Sequence, residues 1–264
     1  MPNVLLIGGR GNIGSGLRTY LPKLDPAYQL VSVDLPGAID KATAPDAQRE
    51  FVDLDITKHP DRLLALLANR DLVIYLSRTR DLEATNQMNQ MTDLVFKSIL
   101  AQNPVPMVIG SSSIHAVDGA YSVDEGTLFV LAERRFDDID RWPERIPSTL
   151  PACPINPYGH YKAHVEQWVQ KVADQGHSAV AARWGGINAK NEMNKARGLF
   201  AFWCHQEDAA RFVHACYTTH KNGTLPSGAH YFVVSDNTYN IFGIEIPKRE
   251  IGYNPIHNAE AFYT

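Results

Sequence analysis

Tyr158 and Lys162 stand four residues apart in Asn156-Pro157-Tyr158-Gly159-His160-Tyr161-Lys162. That spacing puts both side chains on one face of a helix. A phenol with a pKa of about 10 is a poor base at neutral pH, but a neighbouring ammonium stabilises its phenolate and lowers that pKa. The pair therefore suits removal of a proton from a hydroxyl. A second pair with the same spacing, Tyr217 and Lys221, falls near the end of a late helix and reads as a decoy. Val108-Ile109-Gly110-Ser111-Ser112-Ser113-Ile114-His115 places hydroxyls at the end of an apolar strand. Ser113 could then hydrogen-bond the reacting oxygen whose proton Tyr158 handles. Taken singly, a serine run is ordinary turn chemistry.

These groups need a frame, and the first residues supply one. Val4-Leu5-Leu6-Ile7 reads as a buried strand running into Gly8, Gly11 and Gly14, and Tyr28-Gln29-Leu30-Val31-Ser32-Val33 ends on Asp34. Strand, glycine turn, helix, second strand and acid, in that order, describe a dinucleotide-binding βαβ unit. Gly8 permits the turn, Gly11 lets backbone N–H groups approach a pyrophosphate, and Gly14 lets the helix pack close. The phosphates would meet the positive N-terminus of that helix. Asp34 would bind the adenine ribose hydroxyls and repel a 2′-phosphate, which predicts NAD rather than NADP.

Strand-like runs recur at 3–7, 28–34, 49–54, 71–77, 105–111 and 178–184, with helical stretches at 13–21, 60–69, 82–101 and 157–175. The alternation predicts an α/β fold, a doubly wound parallel (Rossmann) sheet with its ligand at the carboxyl ends of the strands. Residues 118–156 break the rhythm with acids, arginines and prolines, which reads as a long loop. Residues 1–185 are expected to form the nucleotide-binding domain. Residues 186–264 are expected to form a small substrate-binding portion, part of which returns to the main core; it contains a helix near 206–219 and a short strand at 230–235.

A length of 264 residues with 44% hydrophobic and 20% charged content is ordinary for a globular enzyme. A net charge of −4 gives no reason to expect nucleic acid or an anionic membrane as partner. The first strand begins at residue 3, no apolar run approaches a membrane span, and Cys153, Cys204 and Cys216 form no CxxC, so a reducing cytoplasm is expected.

The chain resembles the short-chain dehydrogenase/reductase superfamily in its extended, NAD-dependent epimerase/dehydratase branch. The resemblance rests on Gly8 to Gly14, Asp34, Asp53-Leu54-Asp55-Ile56, Ser111 to Ser113, Asn156 to Ala163, and Arg183. It implies that Asn12, Ile13, Asp55, Ile56, Leu76 and Ser77 also line the cofactor site, and that Lys162 also binds the nicotinamide ribose. Within the branch the chain is similar to uronate dehydrogenases in Arg197-Gly198-Leu199, Trp203, Glu207 to Arg211 and the tail Asn258 to Phe262. Those enzymes oxidise the anomeric hydroxyl of a hexuronic acid with NAD. Arg197 matches the arginine that would hold the substrate carboxylate, with Ser113, Ile114 and His115 beside it. Ile114 stands where the related enzymes carry a substrate-binding asparagine. Tyr75-Leu76-Ser77-Arg78-Thr79-Arg80 replaces a small-residue turn, so Arg78 and Arg80 reach the cofactor edge and Arg80 could support an acidic substrate. The resemblance also implies a homodimer through helices 82–101 and 157–175.

Other chemistries fit less well. His160 and His164 share a helix face, but no third ligand accompanies them, so no metal is expected. Cys204-His205 shows no base with an orienting partner, and Gly110 to Ile114 lacks the last glycine of a hydrolase elbow. The expected activity is transfer of hydride to NAD from a hydroxyl carbon of a sugar-like, acidic substrate. The alternatives are a sugar epimerase or dehydratase with tightly held NAD, and a non-catalytic dinucleotide-sensing regulator.

Overall fold

The computed structural model describes residues 1–42, 49–79, 81–121 and 126–263. Seven strands form one wholly parallel sheet: β1 (Asn3–Ile7), β2 (Gln29–Asp34), β3 (Arg49–Asp53), β4 (Leu72–Tyr75), β5 (Met107–Ser113), β6 (Ala179–Trp184) and β7 (His230–Val233). Their order across the sheet is β3-β2-β1-β4-β5-β6-β7. The chain therefore winds one way from β1 and then the other. The crevice at that reversal, between the ends of β1 and β4, is where such sheets bind ligands. Ile7 is level with Val33 on one side and with Tyr75 on the other, so the ends of three strands meet there.

Alternation along each strand feeds two cores. Val4, Leu6, Leu30, Ile74, Ile109 and Val180 face one side, where α1 (Asn12–Leu24) and α6 (Gln206–Lys221) add Leu17, Leu21, Phe212 and Val213. Leu5, Ile7, Val31, Val73, Val108 and Ala179 face the other. There α2 (Pro60–Leu67), α3 (Thr85–Leu100) and α5 (Pro157–Asp174) contribute Leu63, Leu67, Phe96, Val165 and Val169. Both faces are covered, which is why the strands read as unbroken apolar runs rather than as alternating ones.

The short strand expected at 230–235 is β7, which adds to the edge of the main sheet beside β6. The 118–156 excursion is not featureless. It begins in a 3₁₀ stretch (Ile114–Ala120), includes α4 (Thr127–Ala132), and touches the C-terminal part through a bridge between Ile146 and Phe242. Arg134 fastens it further, donating to both carboxylate oxygens of Glu260 at 2.8 Å while lying 3.6 Å from the Tyr263 ring centroid. The last elements are α7 (Glu245–Ile251) and a 3₁₀ turn, Ala259–Phe262.

Candidate active site

A cavity of about 1040 Å³ opens at the reversal point. Gly8, Gly11, Asn12, Ile13, Gly14, Asp34, Asp55, Ile56, Leu76 and Ser77 line it, together with Ser113 and Tyr158. Gly8 sits at φ +91°, where a side chain would be strained and would strike Ser77, and a Cβ on Gly14 would run into the backbone of Gly9. The helix that follows has Gly11 at its N-cap and no side chain capping its first turn. Its free amides face the cavity, as an anion would need. Asp34 is held at 3.0 Å by the backbone N–H of Arg10 and of Leu35, one on each carboxylate oxygen. That fixes the carboxylate at the rim and leaves a lone pair on each oxygen for a ribose hydroxyl. The Asp55 carboxylate is lowered in pKa chiefly by its hydrogen bond from Thr57 Oγ1 at 2.6 Å.

Two cations at this end were not foreseen. Arg10 and Lys41 line the cavity, and Lys41 is joined to Arg10 through the backbone. The Arg10 guanidinium is paired with Asp53 at 2.6 Å and lies over the Phe51 ring. Arg10 occupies a variable position between the motif glycines, so the glycine pattern alone carried no signal for it.

The other end of the cavity is built by β5 and the start of α5. Asn156 caps α5 by accepting from Gly159 N–H at 2.8 Å, and its amide donates to Asp118. Asp118 also accepts from Ile155 N–H at 2.7 Å, so this buried carboxylate sets where the helix begins. A Cβ on Gly159 would strike the carbonyl of His115, so glycine is what lets α5 come close to the end of β5. This brings Tyr158 and Ser113 together on the wall of the cavity. Burial raises the Tyr158 pKa, while the charge of Arg78 and the nearby Ser113 side chain oppose that rise. Asp118 gave no sequence signal, because its partners lie in a segment 37 and 38 residues away.

Lys162 is fully buried one turn along α5. Its ammonium donates to the carbonyl of Ser111 at 2.6 Å and sits 5.3 Å from the Tyr158 ring centroid. Burial, and secondarily the charge of Arg78, push its pKa down to about 7. The charge of Arg78, which lines the same cavity, also acts on Tyr158 and lowers its pKa. Ser112 points the other way and donates to Glu166 at 2.6 Å. Glu166 also holds Arg183 in a two-pronged buried pair at 2.7 and 2.9 Å, and Arg183 donates on to the carbonyls of Ser148 and Leu150. This network ties β5, α5, β6 and the 118–156 excursion together next to Ser113 and Tyr158.

The expected substrate residues are dispersed. Ile114 is buried in the core, and His115 is half exposed with its ring edge toward Tyr158 at 5.6 Å. Arg80 lies outside the described residues. Arg197 lines a separate pocket of about 250 Å³ with Phe129, Phe202 and Ile241. There it pairs with Glu133 and lies 3.9 Å from the Phe129 centroid. Tyr217 packs near Tyr28, away from the cavity walls. His164 bonds Asp93 rather than pairing with His160.

One cluster emerges only in the fold: His205, Glu207 and His257 offer nitrogen and oxygen atoms within 4.8 Å of one another. His205 Nδ1 already accepts the N–H of Glu207 at 3.0 Å, which makes its Nε2 the N–H nitrogen rather than a ligand. The two rings stack at 3.6 Å, and burial pushes the His205 pKa down to about 4. The trio reads as the cap of α6.

The sequence profile of the NAD dependent epimerase/dehydratase family matches residues 4–196. The chain belongs to that family. NAD is accordingly its cofactor, and the uncapped helix amides, the held Asp34 and the volume of the cavity fit it. No curated protein matches the chain by sequence. Among solved structures it is similar to uronate dehydrogenase from Agrobacterium tumefaciens, at 20% identity over 100% of this chain and 87% of that one, with a TM-score of 0.73. Glucuronic acid dehydrogenase from Chromohalobacter salexigens is similar at 18% identity over 99% and 87%, with a TM-score of 0.73. A dTDP-glucose 4,6-dehydratase from Bacillus anthracis, solved with NAD, is similar at 14% identity over 98% and 93%, with a TM-score of 0.72. At these identities the likeness is one of fold. Within the family, dehydrogenase and dehydratase structures superpose on this chain about equally.

Proposed function

We propose that the chain is an NAD-dependent dehydrogenase that oxidises a hydroxyl-bearing carbon of a sugar acid of the uronate type. The observation that carries this reading is that Ser113 and Tyr158 line the same cavity as the glycine turn and Asp34, with the Ser113 side chain close enough to Tyr158 to lower its pKa. NAD would be held by Gly8, Gly11, Asn12, Ile13, Gly14, Asp34, Asp55, Ile56, Leu76, Ser77, Tyr158 and Lys162, and when bound it supplies the acceptor for the hydride that leaves the carbinol carbon. Ser113 orients the substrate oxygen. Tyr158 takes the hydroxyl proton as the C–O bond becomes a carbonyl, which in a cyclic uronate is a lactone. Lys162 anchors the end of β5 through Ser111, so the serines and the tyrosine keep their relative positions.

An epimerase or dehydratase would use the same tyrosine, and the likeness to a dehydratase structure favours it as the second reading. The two separate in one assay: purified protein is given uronates, aldoses, polyols and nucleotide sugars with NAD, and net NADH is followed. Stoichiometric NADH with a uronate supports the dehydrogenase; turnover of a nucleotide sugar without net NADH supports the second reading. The same reading places the enzyme in carbohydrate metabolism in the cytoplasm, in keeping with three unpaired cysteines. It also makes the enzyme a homodimer through α3 and α5. No helix among the described residues is long and apolar enough to cross a membrane.

A further inference from the structure

We propose that Arg78, at the end of β4, receives the acid group of the substrate. This rests on the reading above and changes which residue selects the substrate. Among the described residues three cations line the main cavity, Arg10, Lys41 and Arg78. Arg10 is paired with Asp53, and Lys41 is joined to Arg10 at the Asp34 end. Arg78 stands at the other end, where its charge acts on both Tyr158 and Lys162. Among the described residues it has no carboxylate partner, and its one hydrogen bond is to the carbonyl of Thr79 at 3.2 Å.

An unpaired guanidinium beside a proton-abstracting phenol has two consequences. It stabilises the phenolate in the free enzyme, and it leaves a planar fork of donors open to a carboxylate in the same cavity as the reacting oxygen. A neutral sugar would cover that charge without pairing it, whereas a sugar acid pairs it. Arg197 has neither property. Its charge is already met by Glu133, its guanidinium lies over the Phe129 ring, and neither Ser113 nor Tyr158 lines its pocket.

Pairing at Arg78 also links binding to chemistry. A carboxylate there screens the charge that opposes the burial-driven rise of the Tyr158 pKa, so that pKa rises further when the acid binds. The ascending, acid-side limb of the pH profile should then lie higher for kcat than for kcat/KM with a uronate, and the two should coincide with a neutral sugar.

The test compares Arg78→Gln, Arg78→Lys and Arg197→Ala with wild type in three measurements. These are kcat/KM for glucuronate and for glucose, the affinity for NAD by fluorescence titration, and binding of glucuronate to the enzyme–NADH complex by calorimetry, which needs no turnover. Loss of one charge-assisted contact predicts a fall of about ten- to a hundredfold for glucuronate in Arg78→Gln. Affinity for NAD should hold, Arg78→Lys should recover part of the loss, and Arg197→Ala should affect acid and neutral sugar alike. A selective loss in Arg197→Ala instead of Arg78→Gln overturns the proposal. So does a tenfold weaker affinity for NAD in Arg78→Gln, which would assign the arginine to the cofactor phosphates. If glucuronate binds through Arg78 but is not oxidised, the reading of the reaction fails while the anion site stands. If it neither binds nor reacts, both fall.

Discussion

The nucleotide end of the cavity and the substrate end are built in opposite ways. The first is local in sequence: Gly8, Gly11, Gly14 and Asp34 lie within one βαβ unit, the glycines shaping the turn through their own backbone and the Asp34 carboxylate held by the N–H groups of Arg10 and Leu35. The second is assembled from afar. Asp118 holds Asn156, Glu166 holds Arg183, Arg183 holds the carbonyls of Ser148 and Leu150, and Arg134 reaches across 126 residues to Glu260. A site made from one turn and one helix is difficult to alter without losing the cofactor. A site made from long-range pairs can change its substrate by changing a few side chains.

The sharpest break between the two ends should come from Tyr158→Phe. It removes only the ionisable hydroxyl, so turnover should fall by at least about 10²–10⁴. Affinity for NAD, measured by titration, should be little changed, and Tyr217→Phe should behave like wild type. The reverse pattern would put the active site elsewhere.

Stability should divide along the same line. Glu166→Gln leaves the Arg183 guanidinium, which is 0% exposed, without its counter-charge. Breaking a buried pair in this way costs about 3–5 kcal/mol, to be read from the urea midpoint. Asp53→Asn at the nucleotide end breaks a pair whose carboxylate is 56% exposed. It should cost at most about 1 kcal/mol. Equal losses would mean that the buried network is not what holds the substrate end together.

A smaller effect tests the cofactor end. Asp34→Ala should narrow the preference for NAD over NADP in steady-state kinetics, because the carboxylate that faces the 2′ position is lost. The Arg10 guanidinium, engaged by Asp53, would be slow to replace it with a strong phosphate contact. Equal or better use of NADP by the wild type would sink the argument from Asp34.

The smallest effect is a slope with pH. Burial lowers the Lys162 pKa from 10.5 to about 7. Between those values the unfolded chain binds a proton that the folded chain does not, so stability rises with pH across that range and loses this contribution as pH falls toward 7. The melting temperature of the cofactor-free protein should therefore climb between about pH 7 and 9 more steeply than that of Lys162→Met. Parallel curves would mean that the Ser111 carbonyl keeps the ammonium charged.

Much of the fold was legible because its signals are short in range. Apolar strands in β1, β2, β4 and β6 announce burial on two faces, and Asn156-Pro157 announces the start of α5. The element bounds shift by a few residues, as in β5, which runs on to Ser113 because Ser112 and Ser113 stay paired with Arg183 and Trp184 of β6. That Gly8, Gly11 and Gly14 would lie together at the end of β1 was legible for the same reason, since a glycine turn acts through its own backbone. Arg78 could be seen as an unusual residue at the end of β4, but whether Tyr158, a carboxylate or solvent lay beside it could not be read from its neighbours in sequence. Arg197 carried a stronger sequence signal than Arg78, yet it lies in a different pocket, because Glu133 and Phe129 of the 118–156 excursion pack onto it.

By itself the sequence determined the parallel sheet, the dinucleotide turn with its acid, and the helix face shared by Tyr158 and Lys162. Each of these is set by periodicity or by backbone geometry within a few residues. Only the tertiary structure decided which cation acts on Tyr158, where the 118–156 excursion docks, and that β7 completes the main sheet. Those outcomes depend on charges and apolar faces far apart in the chain, and their pairing is settled by which arrangement buries them with their partners.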